Sequence, residues 1–138
     1  MVTELRSGMV VRDQSWSVTA RAVVHVQPHL ACLGFRLDTG TAAFAYSGDT
    51  GPCPAMVKLA RDCDVLVHMC HFLSGTLEGT PFGDDMVKKT TGHLDLARIA
   101  EDAGVKNLVI SHVTEQIDVA GVRERLIVEM SRIYGGNI

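Results

Sequence analysis

The chain has no apolar run near the roughly 20 residues that a membrane-spanning helix needs. Its opening, Met1-Val2-Thr3-Glu4-Leu5-Arg6, lacks the charged-then-apolar layout of a signal peptide. Both absences give the expectation of a cytoplasmic protein without membrane contact. Only four of 138 residues are cysteine, and Cys32, Cys53, Cys63 and Cys70 form no CxxC or similarly close pair. The thiols are therefore expected to be reduced and to pack as small hydrophobes rather than to bind zinc or form disulfides. GxGxxG, P-loop, GxSxG and HExxH signatures are missing too, which leaves nucleotide cradling, serine hydrolysis and zincin chemistry without support. A net charge of -3 with mixed signs gives no broad basic surface to hold nucleic acid. With no internal repeat, low-complexity tract or interdomain linker, residues 1–138 are expected to form a single domain.

What is present is a change of periodicity along the chain. Residues 16–26 alternate and are rich in valine, which predicts a strand with Met9-Val10-Val11 as its hairpin partner. Residues 32–37 and 41–46, joined by Asp38-Thr39-Gly40, predict a second hairpin. After Gly51-Pro52 the pattern turns to helix over 55–61, and a continuous apolar run over 64–70 is of the kind found in a strand buried on both faces. An amphipathic helix carrying Leu94, Leu96, Ala97, Ile99 and Ala100 closes at Gly104, a short strand follows over 107–110, and a last helix is predicted over 119–134. Residues 73–89 hold glycines, a proline and a charge cluster, and read as a long irregular loop. The order describes an α/β (α+β) fold, a mixed sheet with helices on one face. Its valine-rich strands leave the other face in need of a cover.

Several polar groups fall at the ends of these elements. Asp49, in Ser47-Gly48-Asp49-Thr50-Gly51, follows a glycine at a strand end, where a carboxylate can reach a cation or cap the next helix. His25 and His112 each end a predicted strand, where a hydrogen-bonded core role competes with metal binding. Taken together, two imidazoles and a carboxylate suit Zn, Mn or Fe better than Mg or Ca. His93 opens a helix, where the dipole disfavours its protonated form and a proton-relay or capping role is open. His68 and His71 flank Met69-Cys70 at another strand end and read mainly as structural. Asp84-Asp85 and Lys88-Lys89 read as a solvated face with helical charge pairs.

Ala43-Phe44-Ala45-Tyr46-Ser47-Gly48-Asp49-Thr50-Gly51 resembles the Ser-Gly-Asp-Thr motif of the metallo-β-lactamase superfamily. Thr91-Gly92-His93-Leu94-Asp95 and Val109-Ile110-Ser111-His112 are similar to its later histidine motifs. Val23-Val24-His25 with Gly34-Phe35-Arg36 resembles its earlier histidine strand and hairpin. The match covers most of the chain, lies in the branch of ribonuclease Z and arylsulfatase-like hydrolases, and concerns the C-terminal half of the family fold. It implies one half of an αββα sandwich and a metal-dependent hydrolase of phosphodiesters or related esters. It also implies His25 on one metal, His112 on the other, Asp49 bridging them, and His93 as proton donor or transition-state contact; zinc is the expected metal, with Mn or Fe as alternatives. Two departures stand out. The family's HxHxDH signature does not occur in the sequence, so each metal has two ligands from this chain. Met69 also stands where ribonuclease Z has a glutamate that supports the histidine matching His93. The expected partner is either a second copy, in a homodimer, or an N-terminal half that supplies the other ligands. The rival expectation is a non-catalytic truncated module that dimerises through its open sheet.

Overall fold

The computed structural model describes residues 4–138. Six strands form one sheet in chain order: β1 (Val10–Arg12), β2 (Ser17–Ala22), β3 (Leu33–Asp38), β4 (Ala43–Tyr46), β5 (Val65–Met69) and β6 (Asn107–Ser111). β1 to β4 run antiparallel, with short connections from β1 to β2 and from β3 to β4 and a longer loop over 23–32 between β2 and β3, whereas β4, β5 and β6 are parallel and need helical crossovers. Those crossovers are α1 (Pro54–Ala60) and, between β5 and β6, α2 (Pro81–Lys89) followed by α3 (His93–Asp102); α4 (Val122–Met130) comes last.

The register fixes two faces. Gly34, Ala45, Leu66 and Leu108 point toward the helices and are buried with Met56, Leu59, Leu96, Ala100 and Met130 in one core. Gly34 is there because a Cβ would stand 2.9 Å from Met56 Sδ and 3.1 Å from Leu59 Cδ1, so α1 can lie directly on β3. On the opposite face, Phe35, Tyr46, Val67 and Val109 are cross-strand partners in one row, and Val18, Leu37, Phe44 and Val65 in the next. Phe44, Tyr46 and Val109 remain 40%, 51% and 47% exposed, so this face is apolar and open. A mixed sheet with helices on one face is what the periodicity predicts.

Three boundaries differ from the sequence reading. The second strand ends at Ala22 rather than 26, because the Gln27 side chain takes up the His25 N–H and the Val23 carbonyl that a longer ladder would have used. The stretch 73–89 is irregular only in its first half. α2 begins at Pro81, with Thr80 Oγ1 accepting from Gly83 N at 3.0 Å, and Lys89 and Asp85 pair along it at 2.6 Å. α4 is shorter than 119–134 because Gly121, at φ 85°, turns the chain immediately before it. All four cysteines are free, with Cys53, Cys63 and Cys70 buried. Among the described residues no helix is long and apolar enough to cross a membrane.

Candidate metal centre

Because β4, β5 and β6 are parallel, their C-terminal ends open on one rim, the usual place for a site in such sheets. Asp49 lies three residues beyond β4, His71 two beyond β5, and His112 directly after β6. The loop carrying Asp49 is pinned along its length. Ser47 N donates to Val67 O at 3.0 Å, and Met69 N donates to Ser47 Oγ at 3.1 Å. Thr91 Oγ1 donates to Thr50 O at 2.7 Å. Gly48 takes φ 59°, and a Cβ there would press on Leu33 O at 3.0 Å. A Cβ on Gly51 would fall 2.0 Å from Lys88 O, so the loop rests against the end of α2 by virtue of having no side chain. His112 is in the left-handed region at φ 52°, an uncommon conformation for a residue with a Cβ, which ends β6 abruptly and redirects the side chain.

The consequence is that His112 Nε2 and Asp49 Oδ1 stand 3.6 Å apart, each residue's side chain 47% exposed. That separation is too long for a hydrogen bond. It is close to the roughly 3.3 Å expected between two donor atoms bound at about 2.0–2.1 Å to one tetrahedral ion. His25 reaches the same region from the far side, lining an open depression together with Asp49, Tyr46 and Leu33. Its segment is tied to the Asp49 loop, since Thr50 Oγ1 accepts from Val24 N and donates to Val24 O, both at 3.2 Å. The His25 Nδ1–H donates to Lys89 O at 2.8 Å, which orients the ring and leaves Nε2 with a free lone pair. The pairing suits a metal ligand. Among the described residues, no three His, Cys, Asp or Glu side chains already enclose an ion position.

His93 is placed differently. Its ring is 1% exposed, Nδ1 accepts from Ser74 N at 3.0 Å, and the Nε2–H donates to Glu129 Oε2 at 2.7 Å. The carboxylate that supports it thus comes from α4 and not from β5. Arg125 and then His93 hold the Glu129 carboxyl below its ordinary range. Met69, which the resemblance sets against a ribonuclease Z glutamate, is buried and its sulfur accepts from Thr50 N at 2.9 Å, so it serves to fix the Asp49 loop. His68 points into the core, donates Nδ1–H to Met69 O at 2.8 Å, and is pushed down to about 4 by burial. It is a neutral core histidine. The sequence offered no sign of Glu129. His71 sits two residues past a buried parallel strand, a position that could have marked it.

A sheet half of this topology with metal-type donors on its parallel rim defines a class, and comparison with known proteins gives the family. A model described as the β-lactamase superfamily domain matches residues 1–113, and the chain belongs to the metallo-β-lactamase superfamily. Its curated relatives lie in the ribonuclease Z branch. Ribonuclease Z of Methanosarcina mazei is 37% identical over 71 residues, 51% of this chain, and that of Myxococcus xanthus is 42% identical over 77 residues, 52% of this chain. Each match covers 22% of the relative's own length. The crystal structure of the metallo-β-lactamase fold protein YhfI from Bacillus subtilis superposes with a TM-score of 0.77 at 19% identity, over 98% of this chain and 50% of that one. The likeness of fold therefore extends over nearly the whole chain while corresponding to half of a full superfamily structure.

Proposed function

We propose that this chain supplies half of the metal centre of a phosphodiester or related ester hydrolase, in the manner of the ribonuclease Z proteins it resembles. The observation that carries the reading is the pair of Asp49 and His112, separated by 3.6 Å on the rim of the parallel strands with His25 across the same depression. His25 would hold one ion, His112 the other, and Asp49 both, with zinc the metal that imidazole and carboxylate donors favour and Mn or Fe as alternatives. Bound there, the ions would supply an activated water and neutralise the charge that develops on the ester oxygens.

The remaining ligands would come from a second sheet packed on the open face, one that carries the HxHxDH-type residues this sequence lacks. Its register rows of Phe35, Tyr46, Val67 and Val109 offer the apolar surface for such a sheet, and about 800 Å² per partner is an ordinary stable interface. His93 is proposed as the group that meets the leaving oxygen: its Nε2–H would turn from Glu129 to that oxygen and hold the developing charge by a hydrogen bond while Nδ1 still accepts from Ser74 N, or, as proton donor, it would act in its doubly protonated form and return to the neutral ring. The location proposed for the protein is the cytoplasm.

Metal analysis of the purified chain tests the reading. Stoichiometric Zn or Mn that is lost in Asp49→Ala supports it. A chain that takes up no metal, alone or with a polypeptide bearing the HxHxDH residues, leaves a non-catalytic module that dimerises through its open sheet as the better description.

A further inference from the structure

His71 has no part in the ligand set above, yet its surroundings are those of a ligand. Its Nδ1 is buried and has no hydrogen-bond partner, an expensive condition for an imidazole nitrogen. Its ring centre is 5.4 Å from that of His112, with the planes tilted by 57°. Two imidazoles bound to one tetrahedral ion at about 2.0–2.1 Å stand with their centres roughly 5 Å apart. The observed separation matches that value and is too wide for close stacking.

The backbone holds this arrangement on both sides. His71 N donates to Thr91 O at 2.9 Å, and Thr114 Oγ1 donates to His71 O at 3.2 Å. Cys70 N donates to Ser111 O at 2.9 Å, which ties the residue before His71 to the residue before His112.

We infer that His71 is a metal ligand in this chain, joining Asp49 and His112 around one ion. The inference rests on the metal-binding reading given above and deepens it. With His71 included, the ion on the His112 side has three protein ligands from this chain and one open position, the arrangement of a catalytic zinc site. The ion on the His25 side keeps two. The two positions are then unequal, and the His112 side fills first.

Titration of the chain with Co²⁺, followed by visible absorption, tests this separately from the reading on which it rests. The expected result is one tight site whose affinity falls in His71→Ala by at least the roughly 10- to 100-fold that loss of even an outer-shell partner costs. His25→Ala should leave that tight site in place. If His71→Ala fails to fold, long-range ¹H–¹⁵N spectra of the unaltered chain decide, because Zn²⁺ must move the ring nitrogens of His71 together with those of His112. Metal binding that leaves the His71 nitrogens and the His71→Ala affinity unchanged overturns the inference alone. Failure of the unaltered chain to bind Co²⁺ or Zn²⁺ overturns both it and the proposed function.

Discussion

Glu129 on the last helix accepts the Nε2–H of His93 at the first residue of α3, with 2.7 Å between the atoms. The histidine ring is buried and its other nitrogen is already committed to Ser74 N, so the carboxylate is the one acceptor left to it. Glu129→Ala strands a buried N–H and is expected to destabilise the fold by about 1–3 kcal/mol in urea unfolding. Glu129→Gln, which keeps an acceptor oxygen, should lose less. Arg125→Ala, which touches the same carboxylate from an exposed position, should be close to neutral. Equal losses in all three variants would show that the pair does not anchor α4.

His68 makes stability depend on acid. Its folded pKa is about 4, depressed from 6.5 by burial, so the unfolded chain binds the extra proton first. The stabilisation is complete above pH 6.5 and falls away as the pH drops toward 4, by about 3 kcal/mol at most from this group. Unfolding free energies measured across that interval should decline more steeply in the unaltered chain than in His68→Gln. Parallel profiles would rule His68 out as the source.

Thiol reactivity should separate the four cysteines. Cys53, Cys63 and Cys70 are buried, and burial pushes the Cys70 thiol up to about 12. Under native conditions a thiol reagent should modify Cys32 first, with the other three following only as fast as the protein opens. Rapid labelling of a second cysteine would show that the core is looser than its packing.

The open face should act as an interface even without another sheet. Val109 and Tyr46 are 47% and 51% exposed in one row of that apolar face, and two copies are expected to meet there in sedimentation experiments. Tyr46→Lys combined with Val109→Lys should shift the chain to monomer with little change in far-ultraviolet circular dichroism. An unaltered chain that sediments as a monomer at all concentrations removes the homodimer.

Much of this fold is legible in the sequence because local pattern and tertiary demand agree. The alternation over β2 and β3, the continuous apolar run of β5 and the spacing of Leu96, Ala97, Ile99 and Ala100 each report the face that is buried. Asp49 and His112 are legible as well, since a glycine-flanked acid and a histidine after a strand imply a rim. Boundaries set by side chains are harder. Nothing in the composition of Gln27 announces that it would interrupt β2, and the Thr80-Pro81 start of α2 is obscured by the glycines around it. Glu129 escapes a reading of pattern, and His71, visible at its strand end, reads there as structural, for a different reason. Their significance lies in what stands opposite them, 36 residues away for Glu129 and His93, and only the folded chain brings those partners together.

Every strand of this sheet lies beside the one made just before it, with no place held open for a later segment to slip between two earlier ones. Assembly can therefore follow the order of synthesis, each new strand adding to a finished edge. A half built in that way has its strand order settled before any companion sheet arrives.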